Sequence, residues 1–266
     1  MAISETDKSR IQYARLAGFM FLFVDAAYLT SLFITTRLKV QGNFAESSHR
    51  ILLSEQLYRL GLSSGLVAGL CTVLLAFGLY VAVKPIDKNL ALLALSFRLV
   101  EATIFGVLVV VGFAALNLYA GADSLGAFST MQLAALVSLP SIAASAGFNV
   151  AAAFFSMGSI LFFYLFLKGN AIPKVLSLFG LAGSVLVPAI CFLSLILPQH
   201  AKTLQLGWLP LGVAEIAVGL WLLVKGIRVE TPVVHNGDLD KAPEQPNYSI
   251  KGNQNRTDFG SPYLRR

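Results

Sequence analysis

The sequence predicts an all-α integral membrane helical bundle with six transmembrane helices and a re-entrant or interfacial helix before the fourth span. Of its 266 residues, 56% are hydrophobic and 13% are charged, and the mean hydropathy is +0.72. Soluble domains carry about 25% charged residues, so this chain has too little polar surface for a water-soluble globule. Several apolar runs exceed the ~18 residues that suggest a membrane-crossing helix. They lack the polar–apolar alternation of a transmembrane β-barrel.

The first three predicted spans are separated by short polar segments. Residues 11–36 form the first span, and residues 37–56 form a loop followed by an interfacial helical turn. The second span covers residues 57–83, because the proline that follows Lys84 disfavours helical geometry at that lysine. Residues 89–117 form the third span, which is apolar apart from two ionisable side chains near its middle.

The second half of the chain contributes three more predicted spans. Residues 125–143 are apolar but contain several serines and Pro140, so we expect this segment to lie on the membrane surface or dip in partway. The fourth span covers residues 147–167, the fifth residues 173–197 and the sixth residues 204–227. Three spans in each half return the chain to the side of the membrane where it began.

The sequence divides into a transmembrane helical domain at residues 1–228 and a disordered cytoplasmic tail at residues 229–266. The tail is rich in Pro, Asn, Asp and Lys, a composition that cannot bury a core. Basic residues near the span ends favour a multi-pass protein of the cell membrane with both termini in the cytoplasm. The predicted inner side carries Lys8, Arg10, Arg15, Lys84, Lys88, Lys168, Lys174, Lys225 and Arg228, and the outer side carries Arg37, Lys39, Arg50, Arg59 and Lys202.

Four ionisable side chains lie near the middle of the predicted spans. Arg98 and Glu101 are three residues apart in the third span, so a helix presents both on one face, close enough to touch. Asp25 in the first span and Glu215 in the sixth lie at similar depth, about 15–20 Å from a span end at 1.5 Å per residue. Charged residues inside a membrane usually pair with one another, line a cavity or take part in function.

These side chains, with Arg59 at the edge of the second span, are the candidate ligand-binding residues. Three ionised carboxylates around Arg98 would leave a buried net charge, which desolvation and repulsion disfavour. We therefore expect that at least one carboxylate carries a proton, or that Arg59 folds inward to pair. A buried salt-bridge network that only fixes helix packing is the structural alternative.

Three functions remain open on this pattern. The first is a membrane protein that binds a small amphiphile or lipid headgroup at the charged residues, as a carrier for example. The second is an intramembrane enzyme acting on a lipid or isoprenoid substrate, with a glutamate as general acid or base. The third is a structural or regulatory subunit, in which the stripe Gly61, Gly65 and Gly69 would be free to pack against another protein.

Other site classes find no support in the sequence. His49, His200 and His235 are scattered without metal-ligand spacing, and no nucleotide-binding loop or haem motif is present, so we expect no metal and no cofactor. The net charge of +6 reflects residues at span ends and in the tail rather than nucleic-acid binding. Aromatic residues are expected to face lipid or fill the core, with Tyr119 and Trp208 anchoring at the membrane interface.

Several local patterns resemble a bacterial family of multi-span membrane proteins known only as a domain of unknown function, the four-three-eight-six family. The most specific are Phe97-Arg98-Leu99-Val100-Glu101-Ala102 and the stretch from Glu215 to Gly226. Further matching segments are Ala14-Arg15-Leu16-Ala17-Gly18, Leu57-Tyr58-Arg59-Leu60-Gly61, Gly147-Phe148-Asn149, Phe154-Phe155 and Ile172-Pro173-Lys174. The resemblance covers roughly residues 10–228 and implies a helical bundle of the bacterial inner membrane. It implies no catalytic residues.

Overall fold

The computed structural model describes residues 4–40, 42–120 and 129–229, and every regular element in these ranges is helical. The predicted tail at residues 229–266 lies outside the described residues except for Val229. The elements are α1 (Glu5–Arg37), α2 (Phe44–Leu53), α3 (Glu55–Val83), α4 (Lys88–Ala120), α5 (Thr130–Lys168), α6 (Lys174–Ile196), α7 (Ala201–Leu204) and α8 (Leu209–Lys225), with 3₁₀ turns at Pro198–His200 and Gln205–Trp208.

Within the described ranges, six helices are long and apolar enough to cross a membrane, which confirms the predicted fold class. They are α1, α3, α4, α5, α6 and the segment Gln205–Lys225 that contains α8. Their most apolar windows have mean hydropathy between 1.8 and 2.4. The shortest of the six helical segments has 21 residues, and a helix of about 20 residues is long enough to span the hydrocarbon core. The chain is therefore a multi-pass membrane protein.

The six long helices form a closed ring in the order α1, α3, α4, α5, α6, α8. Each helix packs against its two neighbours in this order, and α8 packs against α1 to close the ring. The main contact between long helices that are not neighbours in the ring is a short one between α3 and α5. Neighbours run antiparallel: Gly78 of α3 approaches Tyr13 near the start of α1, whereas Gly61 approaches Ile34 near its end. In this ring α4 lies opposite α8, a relation that matters for the charged residues.

The close contact between α1 and α8 depends on glycine. A Cβ atom built on Gly18 would lie 2.7 Å from the carbonyl oxygen of Gly219 and 2.8 Å from the carbonyl carbon of Leu222. Backbone atoms cannot give way as a flexible side chain can, so only glycine allows the two helices to pack at this distance. This contact closes the ring.

The ring has two distinct ends. The terminal face is the end where α1 begins and α8 ends, and the α2 face is the opposite end, which carries α2 and α7. Side chains from all six long helices form the largest buried apolar cluster, which is densest toward the terminal face. A smaller cluster toward the α2 face contains Ile51, Tyr58, Leu116, Tyr119 and Val137. Tyr119 is 4% exposed and stacks on Phe44 of α2, and its anchoring at the membrane interface stays a prediction.

Polar contacts tie the loops of the terminal face together. The amide of Arg228 donates to the carbonyl of Ala171 at 2.8 Å, and Lys168 pairs with Asp87 at 3.0 Å. Asp87 also accepts a hydrogen bond from the amide of Leu90, which together with Lys168 lowers the pKa of its carboxyl. The hydrogen bond to Asp87 raises the pKa of Lys168. These contacts join the α3–α4 loop to α5 and the end of α8 to the α5–α6 loop.

The prediction of a separate helix before the fourth span is wrong. The described part of that segment belongs to α5, a continuous helix of 39 residues that runs from Thr130 to Lys168. Its polar residues do not interrupt it, because Ser138 and Ser141 donate to carbonyls of the preceding turn. Pro140 is accommodated inside the helix, as prolines are in membrane helices. At 1.5 Å per residue α5 is about 58 Å long, so it extends beyond a ~30 Å hydrocarbon core.

Candidate functional site

The charged site starts from Arg98 and Glu101 on α4. Arg98 Nη1 lies 3.0 Å from Glu101 Oε2, and the two residues are only 3% and 4% exposed. The three-residue spacing places the side chains on one helix face, as the sequence predicted. The interior of the ring therefore contains a buried ion pair, whose desolvation is costly unless further hydrogen bonds compensate it.

Those further hydrogen bonds are missing among the described residues. Arg98 Nε and Nη1 and Glu101 Oε2 are buried without a hydrogen-bond partner, so the ion pair is close but not aligned for a hydrogen bond. The guanidinium carbon of Arg98 lies 4.7 Å from the centre of the Phe155 ring, an attractive cation–π contact. This contact offsets only part of the lost hydration, so the guanidinium keeps unused donor capacity at the centre of the protein.

Gly158 on α5 makes room for the arginine. A Cβ atom at this position would lie 2.9 Å from both Cγ and Cδ of Arg98 and 3.3 Å from the carbonyl oxygen of Ala94. The Arg98 side chain therefore crosses the surface of α5 at Gly158, where no Cβ atom is in the way. It reaches Phe155, three residues earlier on the same helix. No local pattern in the sequence marks Gly158 as a site residue, because its role depends on which helix faces Arg98.

Glu215 and Asp25 reach the same region from the other side of the ring. Glu215 on α8 is 8% exposed and lies within electrostatic range of Asp25, Arg98 and Glu101, while Asp25 on α1 is partly buried and interacts with Arg98. Because α4 lies opposite α8 in the ring and is not a neighbour of α1, these interactions cross the interior of the ring. We call Asp25, Arg98, Glu101 and Glu215 the central charged cluster.

The carboxylates of this cluster are not arranged as a metal site. Within the described ranges, no three His, Cys, Asp or Glu side chains converge closely enough to hold an ion. Asp25 and Glu215 take part in none of the hydrogen bonds or salt bridges found among those residues. Both are thus available to interact with a ligand inside the ring.

Arg59 lies outside the central charged cluster. Its guanidinium pairs with Glu55 one helical turn earlier, at 2.7 Å, and its side chain is 50% exposed. The alternative in which Arg59 folds inward to balance the buried carboxylates is wrong. The partner one helical turn away at the start of α3 pairs with the guanidinium without the cost of burying it.

Five aromatic side chains form a second feature of the interior, which we call the aromatic cluster: Tyr28, Phe105, Phe148, Phe155 and Trp208. Successive ring centres lie 5.7–6.4 Å apart, from Phe105 and Tyr28 through Phe148 to Trp208 and Phe155. The contacts join α1, α4, α5 and the turn before α8, so they also cross the ring. Trp208 packs on two phenylalanines, and its anchoring at the membrane interface stays a prediction.

The aromatic cluster lies on the α2-face side of the charges. Tyr28 follows Asp25 by three residues and Phe105 follows Glu101 by four, whereas Trp208 precedes Glu215 by seven on an antiparallel helix. Every one of these steps runs toward the α2 face. The spacing between each aromatic residue and its charged neighbour can be read from the sequence. Only the antiparallel order of the helices in the ring shows that all of these spacings run in the same direction. All five side chains are partly exposed.

The glycine stripe on α3 is largely covered by the protein's own helices. A Cβ atom on Gly61 would lie 2.9 Å from Cγ2 of Ile34, and one on Gly65 would lie 2.9 Å from Oγ of Ser31, both on α1. Gly69 borders a cleft of about 390 Å³ between α3 and α4, which is lined mainly by apolar residues. The cleft contains no member of the central charged cluster. The covered part of the stripe counts against the third function, a subunit that offers it to another protein.

Comparison with known proteins identifies a family but no activity. The model of a family described as "Domain of unknown function (DUF4386)" matches residues 16–226, most of the described bundle. This match confirms the resemblance seen in the sequence. Searches of curated proteins and of solved structures give no match.

Proposed function

The chain belongs to the DUF4386 family, a domain of unknown function, and we propose that it binds the polar headgroup of a small amphiphile or lipid at the central charged cluster. The observation that carries the proposal is the state of Arg98. Its guanidinium is buried at 3% exposure, yet two of its nitrogens have no hydrogen-bond partner among the described residues. A bound headgroup with acceptor oxygens would complete that site.

The unsatisfied polar atoms favour this function over a purely structural ion pair. A buried network that serves only to fix helix packing gains its specificity from being fully hydrogen-bonded. Here Arg98 Nε, Arg98 Nη1 and Glu101 Oε2 all lack a hydrogen-bond partner among the described residues, although Nη1 and Oε2 lie 3.0 Å apart. Leaving buried charged groups unsatisfied costs stability, and such a cost persists where the groups have a functional partner.

We propose a carrier or binding protein in the bacterial inner membrane, with the terminal face toward the cytoplasm. The bias of basic residues supports this orientation, because nine lie near span ends at the terminal face and five at the α2 face. The cluster would then lie near mid-membrane, where secondary transporters commonly bind their substrates.

The test is mass spectrometry of small molecules that copurify with the protein in a mild detergent. Wild type is compared with Arg98→Ala and with Arg59→Ala, which removes an arginine outside the cluster. We expect a defined amphiphile in wild type and Arg59→Ala and its loss from Arg98→Ala, with all three proteins giving a folded, monodisperse peak. The same lipid background in all three would overturn the proposal and favour the structural ion pair.

A further inference from the structure

We infer that the ligand headgroup is zwitterionic: an anionic phosphate or carboxylate group binds Arg98, and an ammonium group binds between the aromatic cluster and Asp25. This inference rests on the proposed function and adds the chemical class of its ligand. It follows from the positions of two different binding features inside one ring.

The anionic group is assigned to Arg98 because of the arginine's unused donors. Nε and Nη1 point to no acceptor with hydrogen-bond geometry in the described part of the chain. A guanidinium presents its N–H groups in a planar fork that fits the paired oxygens of a phosphate or carboxylate. The nearby Glu101 contacts the fork at Nη1, at 3.0 Å, and leaves Nε without an acceptor.

The cationic group is assigned to the aromatic cluster. Four of its rings, those of Tyr28, Phe105, Phe148 and Trp208, have no cation over their faces among the described residues, whereas Phe155 already carries Arg98. Aromatic faces attract ammonium and quaternary ammonium groups, most strongly where water is excluded. The unpaired Asp25, one helical turn from Tyr28, supplies a negative charge on the same side.

The two features are separated by a short distance along the ring axis. Phe105 is four residues beyond Glu101, the ion-pair partner of Arg98, which corresponds to about 6 Å at 1.5 Å per residue. The two-carbon bridge of an aminoethyl phosphate spans a comparable distance. Contacts are continuous between the features, since the guanidinium of Arg98 lies on Phe155 and the Phe155 ring lies 5.9 Å from that of Trp208.

Charge balance supports a ligand with both signs. The cluster contains three carboxyl groups and one arginine, so a purely anionic headgroup would add to an excess of acidic groups, and the cost of burying it would rise. A purely cationic headgroup would relieve that excess but leave the donors of Arg98 unused. A zwitterion supplies an acceptor for Arg98 and a cation for a carboxyl group, and it adds no net charge to the site.

The inference is tested with four probes that differ in one group at a time. Hexylphosphocholine carries both charges and a chain, hexyl phosphate lacks the ammonium group, hexyltrimethylammonium lacks the phosphate, and free phosphocholine lacks the chain. Dissociation constants are measured by titration calorimetry of the full chain in a maltoside detergent. We expect hexylphosphocholine to bind at least tenfold more tightly than each of the other three.

Variants assign each charge of the probe to its residue. Arg98→Ala should abolish the preference for hexylphosphocholine over hexyltrimethylammonium, and Arg98→Lys keeps the charge without the fork if the alanine variant does not fold. Asp25→Asn should abolish the preference over hexyl phosphate. Arg59→Ala is the matched control and should bind all four probes as wild type does.

The outcomes separate this inference from the proposed function. If hexyl phosphate or hexyltrimethylammonium binds as tightly as hexylphosphocholine, the zwitterion is refuted while amphiphile binding stands. If free phosphocholine binds as tightly as hexylphosphocholine, the two charge positions stand but the ligand is a soluble zwitterion, which contradicts the proposed amphiphile. If no probe binds the folded protein, both this inference and the proposed binding of such headgroups fail.

Discussion

Gly158→Ala tests whether the position of Arg98 depends on the gap in α5. The new Cβ atom would lie 2.9 Å from Cγ and Cδ of Arg98, well inside van der Waals contact. These atoms belong to the stem of the side chain, and its guanidinium end is held by Glu101 and by Phe155. The arginine cannot move aside without losing one of these contacts. Overpacking of this kind costs about 1–3 kcal/mol.

The matched control is Gly106→Ala on α4, where a Cβ atom would meet nothing within 4 Å. Replacing a mid-helix glycine by alanine stabilises a helix by about 0.8–1 kcal/mol in both variants. Subtracting this common gain, we expect Gly158→Ala to be less stable than Gly106→Ala by about 1–3 kcal/mol. The comparison removes the effect of helix propensity and leaves the contact with Arg98.

The assay is the free energy of unfolding in mixed micelles, measured for wild type and both variants by circular dichroism. Binding of the copurifying amphiphile is measured on the same preparations, and we expect it to weaken in Gly158→Ala alone, because the guanidinium is displaced. Equal stability and equal binding in the two variants would refute the reasoning that Gly158 positions Arg98.

Three further predictions concern the buried ion pair, the helix contact that closes the ring and the terminal face. Arg98→Met should lower the free energy of unfolding by about 3–5 kcal/mol, because it leaves Glu101 buried without a partner. Adding Glu101→Gln should restore much of the lost stability. An equal loss of stability in the single and the double variant would show that the two residues are not coupled. Gly18→Ala should unfold at a markedly lower temperature than the control Gly212→Ala, because a Cβ atom at Gly212 would meet nothing within 4 Å. Matching melting temperatures of the two variants would contradict the close contact between α1 and α8. The depressed pKa of Asp87 means that its contribution to stability is present above the ordinary value of 3.8 and is lost as the pH falls through the lower folded value. Wild type should therefore lose stability relative to Asp87→Asn below about pH 4 in acid titrations of the melting temperature, and parallel curves would refute this.

The membrane-spanning helices could be predicted from the sequence because their signals are local. Length and hydropathy identify a span whatever its neighbours are. The α3 helix ends at Val83 as predicted, although Lys84 keeps helical backbone angles, because Pro85 has no N–H to continue the helix. The pairing of Arg98 with Glu101 was predictable for the same reason, since a three-residue spacing on one helix fixes their proximity.

Predictions failed where a local signal was ambiguous. The serines and Pro140 suggested a break before the fourth span, but serine hydroxyls can bond to their own helix, so α5 continues. The position of Arg59 was open to an inward and an outward arrangement. Its pairing with Glu55, one turn away, holds it at the edge of α3.

The sequence by itself determined the number of spans, their approximate limits and the ionisable residues at mid-depth, because the hydropathy of each helix along its own length identifies a membrane-spanning segment. Only the tertiary structure decided that α4 faces α8 across a closed ring, and hence that Glu215 and Asp25 approach Arg98. It also revealed the aromatic cluster and the gap at Gly158. Contacts between helices far apart in the chain depend on how the helices pack, and hydropathy along a single helix carries no information about its partner.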